Sequence, residues 1–552
     1  MLDEALRERP FPADVRIDAM RFIPARAWAL VVLSAALQLL AFPIAGPLPI
    51  WRSAFCWVCL VPFLLALLLP DRLGNPLRTK QTFFLGYLCG FLWYVGNCYW
   101  IYQTMFLYGG LSKPVSFGIL ILFALYLALY HALFAVTITF TRQFSRSLLT
   151  PLLLAPFLWV AVELARARIT GFPWDLLGYS QIDNLFLTRL APLAGVMSIS
   201  FVICAMNAAL IPLFMERGKR HLIIPGTALL LIALLISLRT WHITEPTGSG
   251  PLSSAVMMQE NLEVGAQGRE VKPLNEVEEL QQFTEASLKP SSALSGEPAV
   301  IIWPEAPSHL RSDDPLFRER MSALARQAEA PLIIGSLGVD FDNSSPRGYY
   351  LYDSASLFDA AGTYQGRYDK IHLVPWGEYI PFKRFFAFAE KLTEGVGDMD
   401  RGWDRKVFAT GGHSYGVFVC YESIFGDEVR HFAKNGAEVL VNISDDGWYG
   451  DTGAPWQHLN MARMRAIENH RWVLRSTNTG ITTAIDPYGR ASFQAPRHVR
   501  GAFAFPFAFE AAADQTLYTR YGDWFAWLCT LVVLAVLALT ASKTPLLQRR
   551  GR

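Results

Sequence analysis

Charge is scarce in this 552-residue chain. Asp, Glu, Lys and Arg make up only 17% of it, against ~25% in ordinary soluble domains. Neither sign predominates: 49 basic and 47 acidic side chains leave a net charge of +2, so no global field draws nucleic acid. Cysteine is rare too, with 7 residues in all, which excludes a disulfide scaffold. There is no internal repeat and no low-complexity tract, and the composition excludes collagen, coiled coil and disorder. Apolar side chains take the place of charge, at 52% before glycine is counted. As a soluble protein this length would suggest roughly three to four domains of ~150 residues, but such an apolar excess points to a bilayer.

The apolar residues are clustered. A spanning helix needs ~20 mostly apolar residues to cross a hydrocarbon core of ~30 Å. Seven such stretches precede residue 241, at about 28–45, 54–70, 83–102, 116–140, 148–164, 195–215 and 222–239, and an eighth lies near 523–541. Between the last two lie some 280 residues of ordinary soluble composition. The predicted organisation is a seven-helix membrane domain over 1–244, a soluble domain over 245–520, and a closing helix with a basic tail over 521–552. The first stretch reads as a retained helix in preference to a cleaved signal peptide, because its basic flank is long and Pro-interrupted and no small-residue cleavage motif follows.

Lys and Arg set the orientation. The N-terminal tail carries Arg7, Arg9, Arg16, Arg21 and Arg26, and the loops after the second, fourth and sixth helices carry Arg72, Arg78, Lys80, Arg142, Arg146, Arg217, Lys219 and Arg220. Lys543, Arg549, Arg550 and Arg552 follow the eighth. Loops of the other parity are poor in charge except the fifth, which holds Arg166, Arg168 and Arg189 beside Asp175 and Asp183. Both termini therefore read as cytoplasmic and the soluble domain as extracytoplasmic.

The soluble domain reads as α/β. Strand-like runs are Ala255–Met258, Ala299–Trp303, Leu332–Leu337, Tyr349–Leu357, Tyr415–Cys420 and Val439–Ile443, and helical patterns fall near 275–288, 315–329, 427–435 and 456–470. The segment 456–472 has basic residues between apolar ones, as a half-buried helix would. Six cysteines sit in or beside apolar spans, where they are small packing residues. Cys420 is the only one in the soluble domain, and is either inert and buried or reactive.

Three strands end abruptly in polar residues. Ala299-Val-Ile-Ile-Trp-Pro-Glu305-Ala-Pro flanks a carboxylate with prolines that stop the strand. Desolvation there would raise the Glu305 pKa towards the range useful for a general base; a surface Glu in a Pro turn is the bland alternative. Tyr368-Asp-Lys370-Ile-His-Leu-Val-Pro-Trp-Gly-Glu378 sets Lys370 among apolar neighbours, as an oxyanion partner or as a strand-edge guard. His372 reads as structural in preference to a base. Tyr415-Gly-Val-Phe-Val-Cys420-Tyr-Glu422 runs a strand into a thiol with a helical pattern beyond, a setting for a nucleophile or for a buried structural Cys.

Glu, Lys and Cys in this order at strand ends resemble the catalytic triad of the nitrilase superfamily. Combined with the membrane stretches, the chain resembles the apolipoprotein N-acyltransferases, membrane-bound members of that superfamily. Further matches are Gly171-Phe-Pro-Trp-Asp-Leu-Leu-Gly-Tyr-Ser-Gln181, Asn442-Ile-Ser-Asp-Asp-Gly-Trp448-Tyr-Gly-Asp, Pro455-Trp-Gln-His458 and Arg475-Ser-Thr-Asn478-Thr-Gly. The resemblance implies a four-layer αββα sandwich, with Glu305 as general acid/base, Lys370 as oxyanion stabiliser and Cys420 as nucleophile. It implies supporting roles for Glu378, Tyr421 and Glu422 and substrate contacts for Trp448, Trp376 and Trp174; the segment of Trp174 reads equally as an interfacial aromatic belt. One departure is Gln259-Glu260-Asn261, where the family has Gln-Gly-Asn with a Trp a few residues on; no Trp occurs here before Trp303.

The activity so implied is phospholipid-dependent N-acylation of the N-terminal diacylglyceryl-cysteine of apolipoproteins, the last step of lipoprotein maturation, at a bacterial inner membrane with the catalytic domain on the periplasmic side. A thioester on Cys420 links its two halves, with membrane phospholipid as donor, apolipoprotein as acceptor, and no metal or cofactor. A membrane-tethered amidase would use the same triad with water as acceptor. A transporter or sensor carrying a soluble module would need charges within several spans, and these have almost none. Glu163, near the end of the fifth span, reads as a snorkelling side chain.

Overall fold

The computed structural model describes residues 23–70, 74–145, 147–215, 252–262, 264, 276–293, 297–305, 311–379, 399–491 and 493–542. The apolar stretches fold into helices α1 (Ala25–Leu40), α2 (Ile50–Leu68, tightened at Ala54–Trp57), α3 (Thr79–Asn97), α4 (Lys113–Ser145), α5 (Leu149–Ala165) and α6 (Val196–Met215). Two small residues bring α3 and α4 together: a Cβ on Gly86 would stand 2.6 Å from that of Ala135, and one on Gly90 2.9 Å from the Ala128 Cα. Helices in lipid associate through such close backbone approach rather than through hydrophobic burial. The stretch at 222–239 lies outside the described residues.

Among the described residues the soluble domain has eleven strands in two sheets. The first has the order β11 (Gly501–Phe507), β1 (Ser253–Gln259), β2 (Val300–Ile302), β3 (Leu332–Phe341), β4 (Tyr349–Phe358), β5 (Tyr364–Asp369). The second has the order β10 (Thr483–Ile485), β9 (Val473–Thr477), β8 (Val439–Ser444), β7 (His413–Val419), β6 (Val407–Thr410). β1, β2 and β3 are parallel, as are β7, β8 and β9. β5 is two antiparallel steps from β3 and so runs in the same sense. The carboxyl ends of β2, β5, β7 and β8 therefore carry Glu305, Lys370, Cys420 and Asp445.

Strand alternation builds the layers. Met257, Ile302 and Ala355 of the first sheet face Val417, Val419, Val441 and Ile443 of the second in one dry core. Val256, Ile301 and Ile334 point the other way, against Phe283 of α7 (Glu276–Ala293) and Phe317 and Leu324 of α8 (Pro315–Ala328). Each such side chain, fully buried, contributes ~1.5–3 kcal/mol. Asp314 caps α8, accepting from the amides of Leu316 (2.7 Å) and Phe317 (3.3 Å), and Pro315 occupies its first turn. α9 (Gly426–Lys434) and α10 (Ala454–Asn469) cover the second sheet, and α11 (Trp524–Ser542) closes the described chain. Four helices are long and apolar enough to cross a membrane among the described residues, namely α2, α4, α6 and α11.

α10 corrects the expectation of a half-buried helix: 14 of its 16 residues are buried. One side lies on the second sheet and the other is shared with the membrane helices. Gln457 accepts from Trp174 Nε1 (2.8 Å) and donates to the Pro43 carbonyl (2.8 Å). Arg465 bonds the Tyr179 hydroxyl (3.0 Å), and Glu468 accepts from the amide of Val196 at the start of α6 (3.0 Å). The basic residues are thus paired inside the joint rather than solvated.

The same joint accounts for the odd charge of the fifth loop. Arg166 is buried, lies over the rings of Trp93 (5.8 Å) and Tyr94 (5.6 Å), and donates to the Trp174 carbonyl (2.9 Å). Arg168 pairs with Asp427 (2.7 Å) and Asp523 (2.5 Å). Glu163, expected to snorkel, is instead buried, accepting from Trp159 Nε1 (2.9 Å) and the Leu177 amide (2.7 Å). It ties the 171–181 segment to α5.

Candidate active site

β7 runs into Cys420, whose φ of +46° is left-handed, a conformation costing a non-glycine residue about 1–3 kcal/mol. Glu422 supplies the first restraint. Its carboxylate accepts from the amides of Val419 (2.7 Å), Ile371 (2.6 Å) and His372 (3.0 Å) and from the Tyr368 hydroxyl (2.8 and 2.9 Å). It thereby pins the end of β5, with Lys370, to the turn that carries Cys420. The second restraint is His458, whose Nε2 donates to the Cys420 carbonyl (3.1 Å). A carbonyl only accepts, so Nε2 carries the proton. On the other side of the ring, Asp446 Oδ1 lies 2.8 Å from Nδ1. Asp446 also takes hydrogen bonds from Ser444 Oγ (2.9 Å) and Arg475 (2.7 Å).

Lys370 Nζ is fully buried and donates to Glu305 (2.8 Å), Asp353 (3.0 Å) and Glu378 (2.5 Å). These three carboxyl groups lie within 4.8 Å of one another, a spacing a divalent cation accepts, and here the ammonium stands at their centre. The second oxygen of Glu305 accepts from the Asp445 amide (2.7 Å), and that of Glu378 from the Val374 amide (3.0 Å).

Electrostatics sorts these groups. Burial raises the Glu305 pKa, but the Lys370 charge and hydrogen bonds from Asp353, Lys370 and the Cys420 thiol outweigh it and hold the carboxyl below its ordinary range. This corrects the expectation of a raised pKa, and the cause is the ammonium 2.8 Å away. Burial, with the nearby Glu305 charge, pushes the Cys420 thiol well up against the opposing pull of Lys370. The resting site therefore sets a neutral thiol beside an ionised carboxylate, the protonation states a general base and its nucleophile need. Burial and the Glu305 charge also push Asp445 up, to about 7.

The expected residues do not all converge. Glu305, Lys370, Glu378, Cys420 and Glu422 share one site. Tyr421 points to the joint, its hydroxyl donating to the Gly171 carbonyl (3.2 Å). Trp174 is wholly buried and stacked on His458 (5.7 Å between centroids, 17°), packed into the joint. Trp448 accepts at its carbonyl from Thr104 (2.8 Å) and meets the Tyr108 ring edge-on. Trp376 has a left-handed φ of +65° and is 38% exposed in the turn before Glu378. His372 pairs with Glu428 (3.0 Å) and stacks on Phe425, as a structural histidine does.

Residues 23–209 match the Apolipoprotein N-acyltransferase N-terminal domain, and residues 274–503 match the Carbon-nitrogen hydrolase family. An Apolipoprotein N-acyltransferase of Geobacter metallireducens is 35% identical, covering 92% of this chain and 94% of its own. One of Methylococcus capsulatus is 31% identical, covering 86% and 91%. This chain belongs to the apolipoprotein N-acyltransferase family. Among solved structures it is similar to Saccharomyces cerevisiae Nit3 of the nitrilase superfamily, at 15% identity, 50% of this chain, 97% of that chain and a TM-score of 0.37.

Three parts of this N-acyltransferase-family site carry no role legible in the sequence. Asp353 sits mid-strand in β4, where its one signal is a lone carboxylate in a run of aromatic and small residues. Asp445 and His458 fall in motifs that the sequence marks without a role, and their contacts depend on strands far apart in the chain. Glu260, at the family departure, is fully buried; burial pushes its carboxyl well up, and Asp445 and Glu279 push the same way.

Proposed function

We propose that this chain transfers an acyl group from a membrane phospholipid to the α-amino group of a lipid-modified N-terminal cysteine on an apolipoprotein. The observation that carries the proposal is the convergence of Glu305, Lys370 and Cys420 in one buried site, with an ionised base beside a neutral thiol. Glu305 takes the Cys420 proton as the sulfur attacks the ester carbonyl. The tetrahedral oxyanion is held by the Lys370 ammonium and the Tyr421 amide. The C–O bond breaks, the lysophospholipid oxygen takes the proton from Glu305, and a thioester remains. The acceptor amine, with an unperturbed pKa of about 7.7–8.0, then attacks and gives its proton to Glu305. The C–S bond breaks, the amide leaves, and Glu305 returns the proton to Cys420.

The domain boundaries 1–244, 245–520 and 521–552 and the eight-span topology belong to the same proposal, and the joint supports them. Pro43, Thr104, Gly171 and Val196 all bond the soluble domain, and each lies on a loop of odd parity or where the sixth helix leaves the fifth loop. α6 runs away from that side, and the seventh apolar stretch, at 222–239, lies outside the described residues. α11 starts at the joint, where Trp524 Nε1 donates to the Leu193 carbonyl (2.9 Å). With the Lys and Arg counts, this supports a periplasmic domain and cytoplasmic termini.

The test is the intact mass of the purified full chain incubated with phospholipid. An acyl adduct is expected on the native protein and not on Cys420→Ala. An adduct of equal amount on the variant would overturn the nucleophile.

A further inference from the structure

Three carboxyl groups meet one ammonium, and the three N–H bonds of Lys370 are shared one each among Glu305, Asp353 and Glu378. Were all three ionised, two negative charges would stand uncompensated in a buried pocket, a state such groups avoid by taking up a proton. The hydrogen bonds show which group takes it. The second oxygen of Glu305 accepts from an amide, as does that of Glu378. Asp353 Oδ1 is buried and has no donor among the described residues. An oxygen without a donor is where an O–H belongs. One oxygen of the Glu305 carboxyl lies within 4.8 Å of one of Asp353, so the two carboxyl groups adjoin.

We infer that Asp353 is a neutral acid in the resting enzyme, donating its O–H to Glu305, and so acts as a positioning residue that keeps the base ionised. The inference rests on the reading of Glu305 as the proton acceptor. Burial and the nearby Glu305 and Glu378 charges push the Asp353 carboxyl well above its ordinary value, against Lys370. The consequence for the reaction is one of charge. With Asp353 neutral, the cluster carries one net negative charge at rest and none once Glu305 has taken the thiol proton, so the thiolate forms beside a neutral cluster. An ionised Asp353 would add a negative charge at both stages and oppose the thiolate. Asp353 keeps its proton throughout; the protons that move are the thiol's and then the acceptor amine's, each by way of Glu305.

Asp353→Asn separates the two states. An amide keeps an N–H for Glu305 and an oxygen for Lys370 but has no proton to lose. The rate of adduct formation at Cys420 is expected within about tenfold of native near pH 7, a difference worth one pKa unit. The alkaline limb of its pH profile should move upward, because the ionisation of Asp353 no longer switches the site off. Asp353→Leu, which offers no donor, should lose at least ~100-fold. The infrared difference between the native chain and Asp353→Asn at neutral pH should contain the C=O band of a protonated carboxyl. An Asn variant as slow as the Leu variant, an unmoved alkaline limb or the absence of that band would overturn the inference. Glu305→Gln is the separate control: adduct formation at the native rate there would overturn the role of Glu305, whereas the infrared band reports the Asp353 proton by itself.

Discussion

Replacing Lys370 by Met removes the ammonium that bonds three buried carboxyl groups while keeping an unbranched side chain of similar length. Removing one partner of a buried ion pair costs about 3–5 kcal/mol, because the other charge stays behind. For a domain of about 150–250 residues each kcal/mol shifts Tm by ~2–4 °C, so a fall of about 6–20 °C is expected at neutral pH. The sign of its pH dependence follows from Glu305. In the native chain its folded pKa is depressed, so its stabilisation is present above the unfolded value of about 4.3 and is lost as pH falls through the folded value. Without Lys370, burial is opposed by hydrogen bonds alone, from Asp353, the Cys420 thiol and the Asp445 amide, and the folded pKa is expected above the unfolded one. The penalty is then absent below the unfolded pKa and grows as pH rises through the folded value. The gap between native and variant should therefore widen from pH 5 to pH 8. The assay is thermal unfolding of the detergent-solubilised full chain across that range, with adduct mass measured in parallel and expected to fall at least ~100-fold. An unchanged Tm, or a gap of equal size at both ends of the range, would refute the placement of Lys370 as the charge that the site is built around.

Glu422→Gln sets an amide N–H₂ among donors that already point at it, three amides and a hydroxyl; a loss of about 1–3 kcal/mol is expected, read as a lower Tm together with slower adduct formation. Trp174→Ala empties a wholly buried position in the joint and should cost about 3–5 kcal/mol, with Tm and adduct formation again falling together; a drop in Tm at full activity would separate the joint from the nucleophile. For the topology, a cysteine introduced at exposed Ser344 should react with a membrane-impermeant thiol reagent in intact spheroplasts, and one at exposed Ser147 only after permeabilisation. The reverse pattern would overturn the orientation.

What the sequence made legible was what local patterns encode. All six predicted strands of the soluble domain and all four of its predicted helices are present, because each is a run of apolar residues with the right period or a run closed by proline or glycine. The five strands not predicted, β5, β6, β9, β10 and β11, are short or carry charged and small residues. Their pairing comes from neighbours far away in the chain, such as β11 against β1. Glu305, Lys370 and Cys420 stood out because each ends a strand; Asp353 did not, because it lies inside one and meets Lys370 only once β4 is in place. The character of α10 was hidden for the same reason. A helix buried on both sides by two different domains has the polar composition of a surface helix when its Arg and Glu residues are paired internally.

The position of Cys420 also bears on why a nitrilase-like site is built onto membrane helices. A left-handed backbone at Cys420 persists only when its surroundings over-determine it, and here the restraints come from two directions. Glu422 holds the turn from within the soluble domain. His458 holds the Cys420 carbonyl, and the His458 ring is stacked on Trp174. The carbonyl of Trp174 is held in turn by Arg166, whose charge lies over two aromatic rings of α3. Tyr421, next to the nucleophile, ends on the Gly171 carbonyl. The 171–181 segment between α5 and α6 therefore backs the His458 restraint and receives the Tyr421 hydroxyl. For the proposed transfer, in which both substrates would be anchored in lipid, this ties the proposed nucleophile to the packing of the membrane domain through His458, Trp174 and Arg166.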